Sequence, residues 1–212
     1  MSLKNDIIKL LENKKYEELV NLPSTKTRIL TKLISLTYDK KSVLSWRSIE
    51  AIGIMTGMCA ESDPELVRHT VERLLWMIRD ESGGIGWSSP EILGEIVRNN
   101  SELCSDIALI IVPFIDELPL RAGVLRAIGR IGKTNTEMVG YAIPRVLPCL
   151  KSPDPFIRGY AVWALGEIGA SGSVTHLEKL KEDNSVIQFY ESGELMEKTI
   201  GEISSEALKK LR

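Results

Sequence analysis

The 212-residue chain is long enough for one elongated domain with ample core, and 43% hydrophobic with 26% charged residues is an ordinary composition for a soluble protein. A formal net charge of −2 excludes a global attraction to nucleic acid or to an anionic membrane. Cys59, Cys104 and Cys149 are far apart, with no CxxC and only two histidines, His69 and His176, which argues against a disulfide framework or zinc site and for a reducing cytoplasm.

The N-terminus lacks the charged-then-apolar layout of a signal peptide. Leu3–Leu11 and Tyr16–Leu22 read as two short amphipathic helices. Pro23-Ser24 breaks them, and Ser24 is the expected N-cap of a helix to about Tyr38. A polar turn leads into a helix over Val43–Cys59. Ser62-Asp63-Pro64-Glu65 supplies a cap, a first-turn proline and an early acid for a helix over Glu65–Arg79. Asp80–Gly86 is a loop, and Pro90 starts a helix to Arg98. Asn99-Asn100-Ser101 caps a further helix, Glu102–Ile115, whose apolar run Ile107–Ile115 contains Pro113 and is too short to span a bilayer. After a turn at Glu117–Pro119 comes the Leu120 helix, then one capped by Thr134-Asn135-Thr136 and running to about Leu150. Ser152-Pro153-Asp154-Pro155 introduces the Ile157 helix, Gly169–Gly172 ends it, and Ser173–Lys181 is the next. Val186–Tyr190 and Leu195–Ile200, flanking Glu191-Ser192-Gly193-Glu194, read as a β-hairpin, and Glu202–Leu211 closes as a short helix with a basic end.

A repeat underlies this order. Leu120–Gly132 (LRAGVLRAIGRIG) and Ile157–Gly169 (IRGYAVWALGEIG) are near-copies with Arg121 and Arg158 in register. Trp46–Gly53 (WRSIEAIG) and Trp87–Gly94 (WSSPEILG) share W-x-S-x-E-x-[IL]-G, and Gly201-Glu202-Ile203 repeats Gly166-Glu167-Ile168. The anchor glycines Gly53, Gly94, Gly129, Gly166 and Gly201 follow one another at intervals of about 35 to 41 residues. Such self-similarity marks a solenoid, in which each unit buries its apolar face against its neighbours. The expected fold is all-α, an α-α superhelix, in a single domain 1–212. Residues 1–41 form an N-terminal helical cap, 42–182 the repeats, and 183–212 a C-terminal cap holding the hairpin and a short helix.

These segments, with the S-P-D-P turn before Ile157, resemble HEAT-like repeats of the phycobilisome lyase type: a turn aspartate, then [VI]-R-x-x-A-x-x-A-L-G-x-I-G. The resemblance runs from about Ser42 onward and is sharpest in the Ile157 unit, where Asp154 and Arg158 match. In the Leu120 unit the acid would be Asp116 or Glu117. The resemblance implies that the second helix of each repeat lines a concave face that binds a partner.

On the Ile157 helix, Ile157, Ala161, Ala164, Leu165 and Ile168 make an apolar stripe, and Tyr160, Trp163 and Glu167 fall on the opposite face. Carrying those positions through the repeats gives two columns, Glu50–Glu91–Arg126–Trp163 and Ile54–Glu95–Arg130–Glu167. The columns read either as inter-repeat ion pairs on a solvated face, each worth roughly 0–1 kcal/mol, or as a groove for a charged peptide. The second reading nominates Trp87, Glu91, Glu95, Arg126, Arg130, Tyr160, Trp163 and Glu167 as contacts of a protein or peptide partner. Trp76–Arg98 departs most from the repeat, with a Gly-rich loop between Trp76 and Trp87 that lacks the spacing and lysine of a nucleotide-phosphate site. Trp46 and Trp87 share one repeat position, which suits a packing wedge.

No Ser-His-Asp or Cys-His constellation is present, and the acids Asp80, Glu81, Glu91 and Glu95 lack the order of a calcium loop. The expectation is a non-enzymatic scaffold or adaptor in the cytoplasm, with no catalytic residue, metal or cofactor. Nucleic acid is an improbable partner and no membrane is involved. The enzyme alternatives on this architecture are a DNA alkyl-base glycosylase, which needs aromatics and an acid facing DNA, and a phycobilin-lyase-like protein.

Overall fold

The computed structural model describes residues 2–79 and 86–212, with Trp87 described by its backbone alone. The helices form two compact units, Met1–Cys104 with Tyr190–Leu195, and Ser105–Phe189 with Met196–Arg212.

In the first unit, α1 (Leu3–Glu12) starts at Ser2, whose hydroxyl accepts the Asn5 amide at 3.4 Å. A 3₁₀ turn, Tyr16–Asn21, leads to α2 (Lys26–Ile34). Its cap is Thr25, which accepts from Arg28 N at 3.3 Å, so the start lies one residue beyond the expected Ser24 and the helix stops short of Tyr38. The helices α3 (Val43–Cys59), α4 (Pro64–Arg79) and α5 (Ser89–Asn99) follow, matching the expected spans closely. The Asp63 carboxylate accepts the Leu66 amide at 3.1 Å to begin α4.

The second unit is more broken. The helix expected over Glu102–Ile115 is α6 (Ser105–Ile111) followed by a 3₁₀ turn, Val112–Asp116. Pro113 has no amide to give to the α-helical ladder, which accounts for the change of pitch. After α7 (Arg121–Gly132), the expected long helix to Leu150 is likewise divided. It becomes Gly140–Ala142, α8 (Ile143–Val146) and Leu147–Lys151, with Pro144 and Pro148 each in the first turn of its segment. Then come α9 (Pro155–Ile168), ended by Gly169 at φ 74°, and α10 (Val174–Glu178), shorter than expected.

The hairpin is present: β1 (Val186–Glu191) pairs with β2 (Glu194–Thr199). Ser192 at φ 53° and Gly193 at φ 81° form a two-residue turn with both residues left-handed, the twist that suits a hairpin. Ile200 lies not in the strand but at the head of α11 (Ile200–Lys210), where Thr199 and Glu202 make a reciprocal capping box.

Repeat glycines mark where second helices pack. A Cβ on Gly53 of α3 would lie 2.7 Å from Glu95 Cβ of α5, and one on Gly166 of α9 would lie 2.7 Å from Ala207 Cβ of α11. A Cβ on Gly129 of α7 would enter the Trp163 ring of α9. Glycine therefore sets the distance at which α3 meets α5, α7 meets α9, and α9 meets α11.

The repeat arginines are spent on turns. Arg121 donates to the carbonyls of Ile115 at 2.7 Å and Asp116 at 3.3 Å, and Arg158 repeats this with Ser152 at 2.7 Å and Pro153 at 3.0 Å. In both cases the carbonyls lie six and five residues back. Asp154, the turn acid of the resemblance, instead caps α9 by accepting the Phe156 amide at 2.8 Å. The carboxylate that Arg158 holds is Asp183, at 3.0 Å, and Arg145 pairs with Asp116 at 2.9 Å.

Gly129→Ala should cost about 2 kcal/mol in urea denaturation, because overpacking against Trp163 exceeds the gain in helix propensity. Gly172→Ala, with nothing within 4 Å of its added methyl, should stay within about 0.5 kcal/mol of the parent. Burial alone would raise the Asp183 carboxyl, but the Ser185 hydroxyl and amide and the Arg158 guanidinium together hold it below the ordinary carboxylate range. A depressed pKa contributes stability that is full above the unfolded value of about 3.9 and is lost as pH falls through the folded value. Asp183→Asn should thus cost about 1–2 kcal/mol at pH 7, a difference that shrinks as pH falls from the ordinary carboxylate range through the depressed folded value in a pH series of denaturation curves.

Candidate functional site

In the second unit the face carrying Tyr160 and Trp163 is occupied by the chain itself. The helix α9 is apolar on both sides because α7 and α11 pack against it and β1 lies against Tyr160 and Trp163. A helix hydrophobic all round is an interior helix. The Phe189 ring of β1 sits 5.6 Å from Tyr160 and 5.7 Å from Trp163, edge-on to the latter at 73°. These are favourable aromatic geometries. The Arg126 guanidinium lies 5.9 Å from the Tyr160 ring and 5.5 Å from the Trp163 ring, and Lys198 of β2 lies 5.4 Å from Phe189. Two cations and three aromatic rings thus form one desolvated cluster, in which each ring face meets positive charge. Alternation along β1 turns Ile187 and Phe189 inward and leaves Val186 and Gln188 exposed.

In the first unit the hairpin tip is held on α3. Tyr190 stacks on Trp46 at 5.7 Å and 14°, and its hydroxyl donates to Glu50 at 2.6 Å. Burial, with the Glu50 carboxylate beside it, pushes the Tyr190 phenol far above its usual range, so it stays a neutral donor. Arg47 completes the hold. Its guanidinium donates to Gly193 O at 2.8 Å, to Glu12 O at 3.0 Å and Leu11 O at 3.4 Å at the end of α1, and to both Glu194 oxygens at 3.3 Å. A planar fork with five donors suits that set, which a lysine could not serve. Lys14 pairs with Glu194 as well and is the main reason that carboxyl sits below its usual range.

The nominated residues divide by environment. Arg126, Tyr160 and Trp163 come together in the cluster just described, none more than 6% exposed. Glu167 accepts from Lys210 at 2.6 Å, and Arg130 is half-buried. Glu91 and Glu95 are interior side chains, 3% and 1% exposed: Glu91 pairs with Lys40, and Glu95 with Arg98 at 3.4 Å. Trp87 lies on a 3₁₀ turn, Gly86–Ser88, and its side chain is outside the described residues, as are residues 80–85 of the Gly-rich loop. Trp46 is buried, donating to Lys40 O at 2.8 Å, whereas Trp76 stands 66% exposed. Residue types alone did not reveal Arg47, Phe189 and Tyr190 as neighbours of this face. The signal for Phe189 lay in its two-residue spacing from Ile187 in a strand, which gives the hairpin a face needing cover; Tyr190, buried directly after it, breaks that alternation.

Among the described residues no group of three or more His, Cys, Asp or Glu side chains is arranged to hold a metal ion, and no helix is long and apolar enough to cross a membrane. The cysteines are free and buried, and burial raises the Cys59 and Cys149 thiols, keeping them protonated and unreactive. Trp163 and Glu91, which a base-excising enzyme would present to DNA, are both interior.

Comparison with known proteins agrees with the fold. Residues 116–189 match the HEAT repeat family. A protein of Archaeoglobus fulgidus described as uncharacterised is 25% identical over 179 residues, covering 82% of this chain and 92% of its own. A designed armadillo repeat protein superposes with a TM-score of 0.57 at 17% identity, over 99% of this chain and 93% of its own. A crystallised engineered protein gives 0.55 at 16% identity, over 100% and 97%. The chain thus has the fold of a helical-repeat protein, with HEAT repeats matched over residues 116–189, and its described residues are helical apart from loops and the C-terminal hairpin.

Arg47→Met should cost about 2–4 kcal/mol in chemical denaturation, because it strands the Gly193 and Glu12 carbonyls. The same change should speed hydrogen exchange at Tyr190–Glu194 at least tenfold, while the amides of α9 stay as protected as in the parent.

Proposed function

We propose that the chain is a non-enzymatic helical-repeat scaffold, working in the cytoplasm, that holds a protein or peptide segment against the second helices of its repeats. The contact candidates are Arg126, Arg130, Tyr160, Trp163 and Glu167 in one unit and Trp87, Glu91 and Glu95 in the other. The observation that carries the reading is the cluster around Phe189. An extended segment already lies on this face, with one aromatic side chain against Trp163 and Tyr160 and with Arg126 over both rings. The hairpin is the resident occupant, and a partner of like chemistry, an extended segment with an aromatic residue at an inward position, exchanges with it. A buried face can bind only to the extent that its own occupant leaves, so the apparent affinity is reduced by the fraction of chains with the face vacated. In the first unit the interior Glu91 and Glu95 are paired with Lys40 and Arg98.

The test is titration of the full chain with a synthetic peptide copying residues 185–199. Phe189→Ala empties the aromatic position and should tighten peptide binding at least tenfold, and adding Trp163→Ala should abolish that gain. Equal peptide affinity for the parent and for Phe189→Ala would sink the reading. A gain that survives Trp163→Ala would do the same.

A further inference from the structure

The strand that lies on Tyr160 and Trp163 leaves one group of this face unserved. The Trp163 ring N–H is buried and meets no hydrogen-bond acceptor, in a residue only 6% exposed. Buried polar groups are nearly always paired, so an orphaned donor marks a place where an acceptor is missing. Packing fixes which way the N–H points. The Cε3, Cζ3 and Cη2 atoms of the indole meet Gly129 of α7, and Nε1 lies on the other side of the ring system, away from that glycine. The aromatic neighbour of the indole, Phe189, is a hydrocarbon whose ring face is at most a weak acceptor. A buried donor without an acceptor forfeits its hydration and gains nothing in return. The resident strand therefore holds the face at a disadvantage that another occupant can remove.

Charge and register say what that occupant carries. The buried Arg126 guanidinium lies 5.5 Å from the Trp163 ring, so positive charge stands close by in a desolvated place. Glu167, one turn further along α9, is answered by Lys210 at 2.6 Å. An N–H donor beside a fixed cation favours an anionic acceptor, and hydrogen bonds to ionised acceptors are roughly twice as strong as neutral ones. Register gives the place. A Cβ on Gly159 would lie 2.5 Å from Ile187 Cδ1, and Phe189 meets Tyr160 and Trp163, so the strand advances toward the end of α9. Two strand residues advance about 6.6 Å, a little over one helical turn of about 5.4 Å, so the position two past the aromatic falls in the turn after Trp163. In this chain that position is Glu191, where the two-residue turn at Ser192-Gly193 begins, and the indole N–H is left without an acceptor. A free segment has no such turn to make. We propose that the segment captured by this face carries a carboxylate two residues after its aromatic residue, and that Trp163 Nε1 donates to it. The proposal rests on the reading of this face as the capture surface, and it names what lets a free segment compete with a tethered hairpin.

The probes are two synthetic peptides with blocked ends, one copying Ser185–Glu191 and one the same with Glu191→Ala. Each is titrated into the full chain bearing Phe189→Ala, with the indole N–H groups isotope-labelled. The Glu191 peptide should bind about tenfold more tightly, as a charge-assisted hydrogen bond in a desolvated place does, and should move the Trp163 indole proton downfield. The alanine peptide should leave that proton without a downfield shift. Trp163→Phe keeps an aromatic ring and removes the N–H; it identifies the resonance and should make the two affinities equal. Because the readout is a ratio, the parent chain serves equally if Phe189→Ala unfolds, the resident strand lowering both affinities by one factor. Equal affinity of the two peptides would overturn this proposal and leave the capture surface standing. A preference for the acid that survives Trp163→Phe would overturn it too, since charge alone would then be recognised. Binding of neither peptide, to either chain, would overturn the reading on which the proposal rests, and the proposal with it.

Discussion

Within each unit the fold depends on how closely neighbouring second helices approach. That distance is set by the absence of a side chain. Gly53, Gly129 and Gly166 stand where α5, α9 and α11 press in, so near that one methyl group would strike Glu95, Trp163 or Ala207. A glycine in a helix interior costs roughly 0.5–1 kcal/mol relative to alanine, and the packing it permits must exceed that cost. At Gly129 it also admits the six-membered ring of the Trp163 indole, which in turn lies against Phe189. Glycine spacing, helix stacking and the aromatic cluster are therefore one connected arrangement.

The hairpin gives the rest of the surface its meaning. Side chains that would otherwise face water, Tyr160 and Trp163 in one unit and Trp46 in the other, instead meet Phe189 and Tyr190. Charge follows the same rule. Arg126 lies over two rings, and Arg47 gathers carbonyls from the end of α1 and from the turn of the hairpin, leaving neither guanidinium to solvent. Interior cations of this sort are held by geometry and not by burial alone, since each would be costly without its partners.

Much of this was legible in the residues. The glycine period marked the repeats, the proline-led starts marked α4 and α5, and Ser192-Gly193 marked the turn of the hairpin. What escaped was tertiary. Periodicity places Tyr160 and Trp163 on the face opposite the apolar stripe of α9, but it cannot say that residues 25 or more positions later return to cover them. Proline divides the helices of the second unit more than periodicity suggests: Pro113, Pro144 and Pro148 convert expected α-helices to short mixed turns. The turn acid was assigned by analogy to Asp154, although Arg158 reaches forward to Asp183, which no local pattern signals.

The central claim is that the aromatic face is built to hold an extended segment and that β1 occupies it. A double-mutant cycle between Trp163 and Phe189, each changed to alanine and read by urea denaturation, tests it most directly. The account predicts a coupling of about 0.5–1.5 kcal/mol beyond the sum of the single changes, the range for a specific aromatic pair. Strict additivity would contradict it, because Phe189 would then be a passive cover and not a ligand of the face.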